Sequence, residues 1–187
     1  MKRRAVFVLA AMMLIICAGS VSAQSDISVK GVGGKLGLVS VSDNVGTTIG
    51  FGGMMDLGTF APNVHFMANV DFWSKSHDEG FLGFGSVKSS LRDIAFSGTV
   101  SYTFSGSSQN LLPYVAGGIG LHLLSAKVEG AGFDVSSSDT KIGFHFGGGL
   151  LISSSSNMDF VVDGRYSIVS DANFFALQGG VLFKMGK

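Results

Sequence analysis

Charged and hydrogen-bonding side chains occupy every second position in several segments of this chain. In residues 158–167, Met-Asp-Phe-Val-Val-Asp-Gly-Arg-Tyr-Ser, one parity is largely apolar and the other carries Asp159, Asp163 and Arg165. A period of two places successive side chains on opposite faces of a β-strand. Followed along the chain, the polar parity collects Lys35, Met54, Asp56, His65, Asn69, Asp71, Asp93, His122, Lys141, His145, Asp159, Asp163, Arg165 and Gln178.

The charges of this parity indicate an enclosed network. Buried charges have to pair, because an unpaired charge away from water is strongly destabilising. We therefore predict a polar network that fills the inside of the protein and stabilises it. The pattern predicts no catalytic residues, no metal ligands and no cofactor. The expected members of the lumen network are Lys35, Asp71, Asp93, His122, Lys141, His145, Asp163 and Arg165.

Two of these histidines leave a chemical alternative open. If Lys127 faces Thr140 across a hairpin, His122 lies opposite His145, and Arg165 is expected beside His145 on its other side. Two adjacent histidines could hold a metal ion or act as acid and base. A pair alone does not complete a zinc site, so the alternative remains secondary to a structural network.

The elements that position these residues are predicted to be eight strands. Their connections alternate in length, and the two longest, 75–90 and 128–139, fall at the same end of the protein. Asp56 is expected to face His65 near the opposite end, as a structural pair. The strands are expected near residues 31–42, 47–57, 64–74, 91–104, 113–127, 140–153, 158–167 and 174–184.

The other parity of the strands carries large apolar side chains and no charge. It includes Leu36, Phe51, Phe72, Phe96 and Phe144. In a soluble protein such a face would aggregate, whereas lipid would cover it in a membrane barrel, whose strands alternate apolar-out and polar-in. A soluble lipid carrier with the inverse arrangement is the alternative. The single tryptophan has inward parity near the outer rim, where its indole N–H is expected to reach water.

The N-terminus has the three parts of an export signal. Residues 1–23 contain three basic residues, a run of 14 residues without charged or polar side chains, and a small-x-small cleavage site before Gln24. We expect cleavage there, which leaves 24–187 as one barrel domain without cysteine, exported through the periplasm. This part has ten basic and thirteen acidic residues. It has no basic tract that would indicate a nucleic-acid partner.

The chain resembles the small eight-stranded outer-membrane β-barrel proteins of the OmpA/OmpX type. The resemblance covers residues 31–187 and is carried by glycine–aromatic patterns at 113–121, 143–149 and 179–183. It implies an all-β fold, an eight-stranded antiparallel up-and-down transmembrane β-barrel in the outer membrane of a Gram-negative cell envelope. It also implies contact with outer-membrane lipids and lipopolysaccharide, and insertion by the barrel-assembly machinery.

The expected function is that of a structural or surface-interaction scaffold. Polar connections on a rigid barrel are where such a protein would meet an extracellular ligand, here through loops 75–90 and 128–139. A narrow porin-like channel or small-ligand pore is the main alternative, because many inward positions are glycine and could leave a slot. A lipid-modifying enzyme is a remote alternative, with His77, Asp78 and Glu79 as its only candidate group at the outer rim.

Overall fold

The computed structural model describes residues 26–42, 46–81, 85–104, 110–130, 133–155, 157–170 and 172–185. Eight strands form one closed barrel in which each strand is antiparallel to its neighbours in sequence, and the first strand pairs with the last. The export signal predicted for residues 1–23 lies outside the described residues. The strands are β1 (Asp26–Val41), β2 (Gly46–Ala61), β3 (Val64–Phe81), β4 (Gly85–Thr103), β5 (Leu111–Gly130), β6 (Phe133–Ser155), β7 (Met158–Val169) and β8 (Phe174–Lys184).

Side-chain exposure follows the predicted alternation around the whole barrel. The outward parity is exposed and apolar on every strand, as Leu36, Ile49 and Phe144 illustrate, each more than half exposed. The inward parity is buried and largely polar. This arrangement excludes the soluble lipid carrier, whose apolar residues would line the inside. Among the described residues there is no helix long and apolar enough to cross a membrane.

Four strands continue well beyond the others at the end of the barrel opposite the chain termini, which we call the distal end. There β3 pairs with β4 up to Phe81 and Gly85, and β5 pairs with β6 up to Gly130 and Phe133. Pairing between β4 and β5 extends to Lys88 and Glu129. We call the part of β3–β6 beyond Trp73, Asp93, Leu124 and Ile142 the projecting sheet.

The prediction that 75–90 and 128–139 are loops was therefore wrong in extent. Residues 75–81 and 85–90 are paired strand, and so are 128–130 and 133–139. These segments are rich in serine and charge, which resembles loop composition, but nothing forbids such residues in strands that lie outside the lipid. The connections shrink to 82–84 and 131–132, which lie outside the described residues.

Glycines divide into two groups by the face they occupy. At inward positions such as Gly37 and Gly147, an added Cβ would overlap the carbonyl oxygen of the neighbouring strand. Outward glycines have more room, except Gly148, where an added Cβ would lie 2.5 Å from the Tyr114 carbonyl oxygen. At outward Gly179 it would meet nothing within 4 Å. Small outward residues form a continuous belt around the barrel, one on each strand. Each lies directly opposite the belt residue of the next strand or two residues away from that position. The belt consists of Gly34, Gly53, Ala68, Gly98, Gly117, Gly148, Gly164 and Gly179.

Candidate functional site

A cluster of four charges spans the middle of the lumen. The Lys35 Nζ lies 2.8 and 3.1 Å from the two carboxylate oxygens of Asp71. Arg165 bridges Asp71 at 3.6 Å and Asp163 at 3.1 Å. The Tyr114 hydroxyl donates to Asp163 at 2.8 Å. Two cations and two anions balance within the cluster, which is the arrangement that buried charges require.

A chain of uncharged groups crosses the lumen beside this cluster. The Asn69 amide donates to the Thr99 hydroxyl at 3.1 Å, and the same hydroxyl lies 2.9 Å from Nε2 of His145. All three residues are buried. These hydrogen bonds hold the His145 imidazole in a fixed orientation against a neutral partner. The role of His145 is therefore to fill the lumen and to satisfy buried polar groups.

His122 is held by a carboxylate on the distal side of the cluster. Its Nδ1 lies 2.8 Å from Asp93 Oδ2, and both residues are buried. The imidazole also packs edge-on against Phe174, with ring centroids 5.8 Å apart. Lys141 lies directly opposite His122 in the β5–β6 ladder.

The predicted pairing of His122 with His145 was wrong. His145 lies opposite Gly118, because the β5–β6 strands continue to a two-residue connection and this shifts the register by four residues from the one predicted. Arg165 lies opposite Gly147 rather than His145, because Ser153 pairs with Asp159 and this shifts the β6–β7 register by two residues from the one predicted. Within the described ranges no three His, Cys, Asp or Glu residues are grouped so that they could hold a metal ion.

The predicted pair of Asp56 with His65 was also wrong. Asp56 lies opposite Met67, and His65 lies opposite Thr59, because the β2–β3 register shifts between these positions. Asp56 instead accepts a 2.8 Å hydrogen bond from the backbone N–H of Gly58, whose φ of 92° belongs to the left-handed region. Glycine suits this backbone because it has no Cβ to oppose it.

Apolar clusters close both ends of the lumen. The distal cluster consists of Val39, Val41, Trp73, Leu124, Val169, Ala172, Phe174 and Ala176. The other cluster consists of Met54, Val161 and Leu182, with Met67, Tyr114 and Leu151 against it. Between them lie two cavities of about 20 Å³ each, and Arg165 lines both. The inward glycines therefore leave no continuous slot among the described residues.

Trp73 belongs to the distal cluster, so the prediction that it lies near the outer rim was wrong, and bulk water does not reach its indole N–H. Its side chain is 2% exposed and packs edge-on against Phe174, with ring centroids 5.6 Å apart. Leu91 of the projecting sheet packs against the same cluster. Sequence reasoning could not foresee this because it ended β3 at residue 74.

The projecting sheet presents a polar, outward surface of mixed charge. Lys127 and Glu129 form an ion pair there, and hydrogen bonding to Lys127 lowers the pKa of Glu129. Arg92 is exposed and forms no ion pair with any described residue. Ser125 and Ser138 share a hydrogen bond at 3.1 Å across the β5–β6 ladder. The side chains of His77, Asp78 and Glu79, the group considered for an enzyme, lie outside the described residues.

Both edges of the projecting sheet extend beyond the neighbouring strand. The β2–β3 ladder ends at Gly50 and Trp73, so residues 74–81 of β3 face no described strand on that side, and the β6 edge is the longer of the two. The ladder between β6 and β7 begins only at Gly143 and Val169. Residues 133–142 therefore pair with β5 on one side and with no described strand on the other. This edge is about 33 Å long, at 3.3 Å per residue. Along it, the N–H and C=O groups of every second residue of β6 lie in the plane of the sheet and point to the side opposite β5. The β5–β6 register is regular throughout, and the edge contains no proline.

Two lumen residues with a clear role were not singled out from the sequence. Thr99 holds His145, and Tyr114 donates to Asp163. Both have the inward parity of their strands, so the alternation that identified the charges could also have identified them. Uncharged Thr and Tyr are enriched in strands in general, so their residue type alone does not indicate which face of the strand they occupy.

The chain belongs to the outer membrane protein beta-barrel domain family, whose model matches residues 8–184. The fold and the closed, polar lumen define the class of protein: an integral β-barrel of the outer membrane, with lipid against its apolar face. No curated protein matches the chain in sequence.

Three solved structures share the fold at low sequence identity. Ail of Yersinia pestis is 13% identical, with a TM-score of 0.59, and the match covers 85% of this chain and 99% of Ail. Neisserial surface protein A is 24% identical, with a TM-score of 0.54 and coverages of 83% and 96%. The N-terminal barrel of Pseudomonas aeruginosa OprF is 14% identical, with a TM-score of 0.52 and coverages of 87% and 100%. Ail has also been solved with the heparin analogue sucrose octasulfate.

Proposed function

We propose that the protein is a surface scaffold that binds an extended polypeptide segment of an extracellular partner along the free edge of β6. With both termini in the periplasm, the distal end faces outward, and the projecting sheet stands above the membrane. The observation that carries the proposal is the row of β6 backbone groups from residue 133 to residue 140 that face no described strand. Strand addition to such an edge gives affinity through main-chain hydrogen bonds.

The edge lacks two features by which proteins avoid unwanted strand pairing, the bulge and the proline, although Asp134, Asp139 and Lys141 place charge on it. Natural edge strands are commonly short, bulged, or interrupted by proline and inward charge. Here the edge is long and regular, and Ser136, Ser137 and Ser138 form its middle. Small hydroxyl side chains leave the backbone accessible to a partner strand. Val135 is 61% exposed near the tip and offers an apolar contact.

The charges of the projecting sheet favour a polypeptide over a polyanion. Residues 74–92 and 125–141 together contain five Lys and Arg and five Asp and Glu. A receptor for a sulfated glycan would be expected to show a positive excess, because such binding depends on ion pairs with anionic groups. The heparin analogue bound to Ail nevertheless makes this ligand class the natural competitor in a test.

Peptide selection on the refolded protein tests the proposal. Phage-displayed random 12-residue peptides are selected on the mature chain in nanodiscs, after depletion on empty nanodiscs. Peptide affinity is then measured for a variant in which residues 127–136 are replaced by Asn-Gly. This change removes the tip of the edge and joins Ala126 to Ser137, which are already paired, through a tight hairpin turn.

We expect the selected peptides to lose at least tenfold in affinity with this variant. They should also protect backbone amides of residues 134–141 from hydrogen exchange. The matched control replaces 76–90 by Asn-Gly, which shortens the β3–β4 hairpin between paired Lys75 and Leu91 and leaves the β6 edge in place. If the peptides bind the variant without residues 127–136 as tightly as the unaltered protein, the proposal is contradicted. If the protein binds sucrose octasulfate and selects no peptide, it is a glycan receptor instead.

The lipid and assembly partners are part of the same proposal. Arg92 is exposed on the outward face, two residues beyond Ile94 of the apolar band, and Lys127 has the same face on β5. Cations at this height would meet phosphates of lipopolysaccharide in the outer leaflet. The barrel-assembly machinery would insert the chain, and residues 1–23 would act as the cleaved export signal.

A further inference from the structure

The distal cavity of the lumen is lined by polar atoms that no protein group satisfies. Four buried atoms of residues that line this cavity have no hydrogen-bond partner among the described residues: Trp73 Nε1, Asp93 Oδ1, Ser97 Oγ and Asp71 Oδ1. Of these, Asp71 Oδ1 lies 2.8 Å from Lys35 Nζ in an ion pair, which leaves the other three without any partner. Trp73 is 2% exposed and Asp93 is 1% exposed, so bulk solvent does not supply the missing partners. An unsatisfied group in such a position is destabilising, and native proteins rarely retain one.

The β3–β4 register brings Trp73 and Asp93 together, because they are directly opposite in the ladder and both side chains point inward. Ser97 lies on the same face of β4, four residues or about 13 Å further along, and lines the same cavity. The second oxygen of the Asp93 carboxylate is held by His122 at 2.8 Å, so only Oδ1 remains free to face the cavity. The cavity has a volume of about 20 Å³.

The hydrogen-bonding character of these atoms decides the class of ligand. The indole N–H can only donate, and the Asp93 oxygen can only accept when the carboxylate is ionised. A cation cannot accept from the indole, and an anion would lie against the Asp93 carboxylate. A neutral molecule that both donates and accepts satisfies both groups, and the serine hydroxyl can play either part. Only water is small enough, since a water needs at least 10–15 Å³ of such volume.

We infer that the distal cavity is a buried hydration site, in which an ordered water accepts from Trp73 Nε1–H and donates to Asp93 Oδ1, in the space that Ser97 also lines. The site lies directly below the projecting sheet. It joins β3 and β4 to each other at the level where both strands leave the closed barrel. The inference does not depend on what the β6 edge binds.

The single tryptophan makes the site directly observable. In the ¹⁵N-labelled mature chain, folded in detergent micelles, the only indole Hε1 resonance is that of Trp73. We expect a nuclear Overhauser cross-peak from this proton to the water frequency, because a water held between two buried groups stays long enough to transfer magnetisation. An indole proton without that cross-peak in the wild-type protein would overturn the inference.

Substitutions at Ser97 distinguish two sources of the cross-peak. It could come from a bound water or from the serine hydroxyl, whose proton exchanges with water and would give a signal at the same frequency. Ser97→Ala removes the hydroxyl and leaves the space, so the cross-peak should remain. Ser97→Val fills the space, so the cross-peak should be lost. The matched control is Ser101→Val, which alters the other cavity and should leave the cross-peak unchanged. Loss with Ser97→Ala, or persistence with Ser97→Val, would contradict the inference.

Discussion

At the scale of single residues, alternation along the sequence predicted which side chains enter the lumen but not which ones meet. Lys35, Asp71, Asp163 and Arg165 do share one cluster. The predicted partners of His122 and His145 were wrong because a partner depends on register, and register depends on the length of each connection. Successive side chains alternate between the two faces of a strand, so an error of two or four residues in register leaves each side chain on its correct face. The same error gives it the wrong neighbour on the adjacent strand.

The Asp163 carboxylate should be among the most important lumen groups for stability. It serves both Arg165 and Tyr114, so Asp163→Ala leaves a guanidinium and a hydroxyl without their partner. Breaking a buried ion pair by removing one member costs about 3–5 kcal/mol. We expect a loss of that order in the free energy of unfolding, measured by urea titration of the protein in lipid vesicles.

The control for this prediction is Asp139→Ala, which removes an exposed carboxylate of the projecting sheet and should leave the unfolding free energy unchanged. The double variant Asp163→Ala with Arg165→Met should recover part of the loss, because no uncompensated guanidinium then remains. Equal stability of Asp163→Ala and wild type would mean that this cluster does not contribute as its geometry indicates.

At the scale of strands, the two faces of the barrel should respond oppositely to an added methyl group. Gly147→Ala would place Cβ against the carbonyl oxygen of Gly164, so the strands would have to separate. Gly179→Ala meets open space on the lipid side, where a buried methyl contributes roughly 0.8 kcal/mol. We expect impaired folding for the first and unchanged or higher stability for the second, measured by the heat-shifted band on gels and by urea unfolding. Equal behaviour of the two variants would refute the distinction between the two groups of glycine.

A charge on the lipid face should act according to its height along β6. Phe146 lies in the centre of the apolar band from Ile142 to Ile152, and it is 55% exposed. Arginine at the bilayer midplane of a barrel costs about 2–4 kcal/mol, which is the loss expected for Phe146→Arg in vesicles. Ser136→Arg places the same charge on the same face of the same strand, beyond the band, and should have little effect. A comparable loss with Ser136→Arg would place the membrane boundary beyond the projecting sheet.

The extent of the strands was the part of each element that composition concealed. The sequence-based boundaries ended β5 at residue 127 and began β6 at residue 140, because lipid-facing alternation stops there. Above the membrane the outward positions of a strand face water, so Ser136, Ser138 and Thr140 take the places that Phe144 and Phe146 occupy below. A strand that leaves the bilayer therefore loses the pattern by which a barrel strand is recognised, although its ladder continues.

At the scale of the whole molecule, the fold was predictable and the state of the lumen was not. Eight alternating segments with short connections suffice for a closed up-and-down barrel, which has no edge within the lipid. Whether glycines leave a channel depends on how strands coil around one another. Here the neighbouring backbone fills the space at Gly37, Gly147 and Gly149, and large inward groups fill the rest.

Refolded residues 24–187 are expected to carry no ion current across a planar bilayer. An ion would have to cross the distal apolar cluster around Trp73 and Phe174, the charged cluster around Arg165, and the second apolar cluster around Met54. The cavities between these barriers hold about 20 Å³ each, which is too small for a hydrated ion. A general porin in the same bilayer provides the positive control, and a heat-shifted gel band shows that the sample is folded. Discrete, reproducible conductance steps from that folded sample would mean that both clusters open together, and the protein would then act as a channel as well as a scaffold.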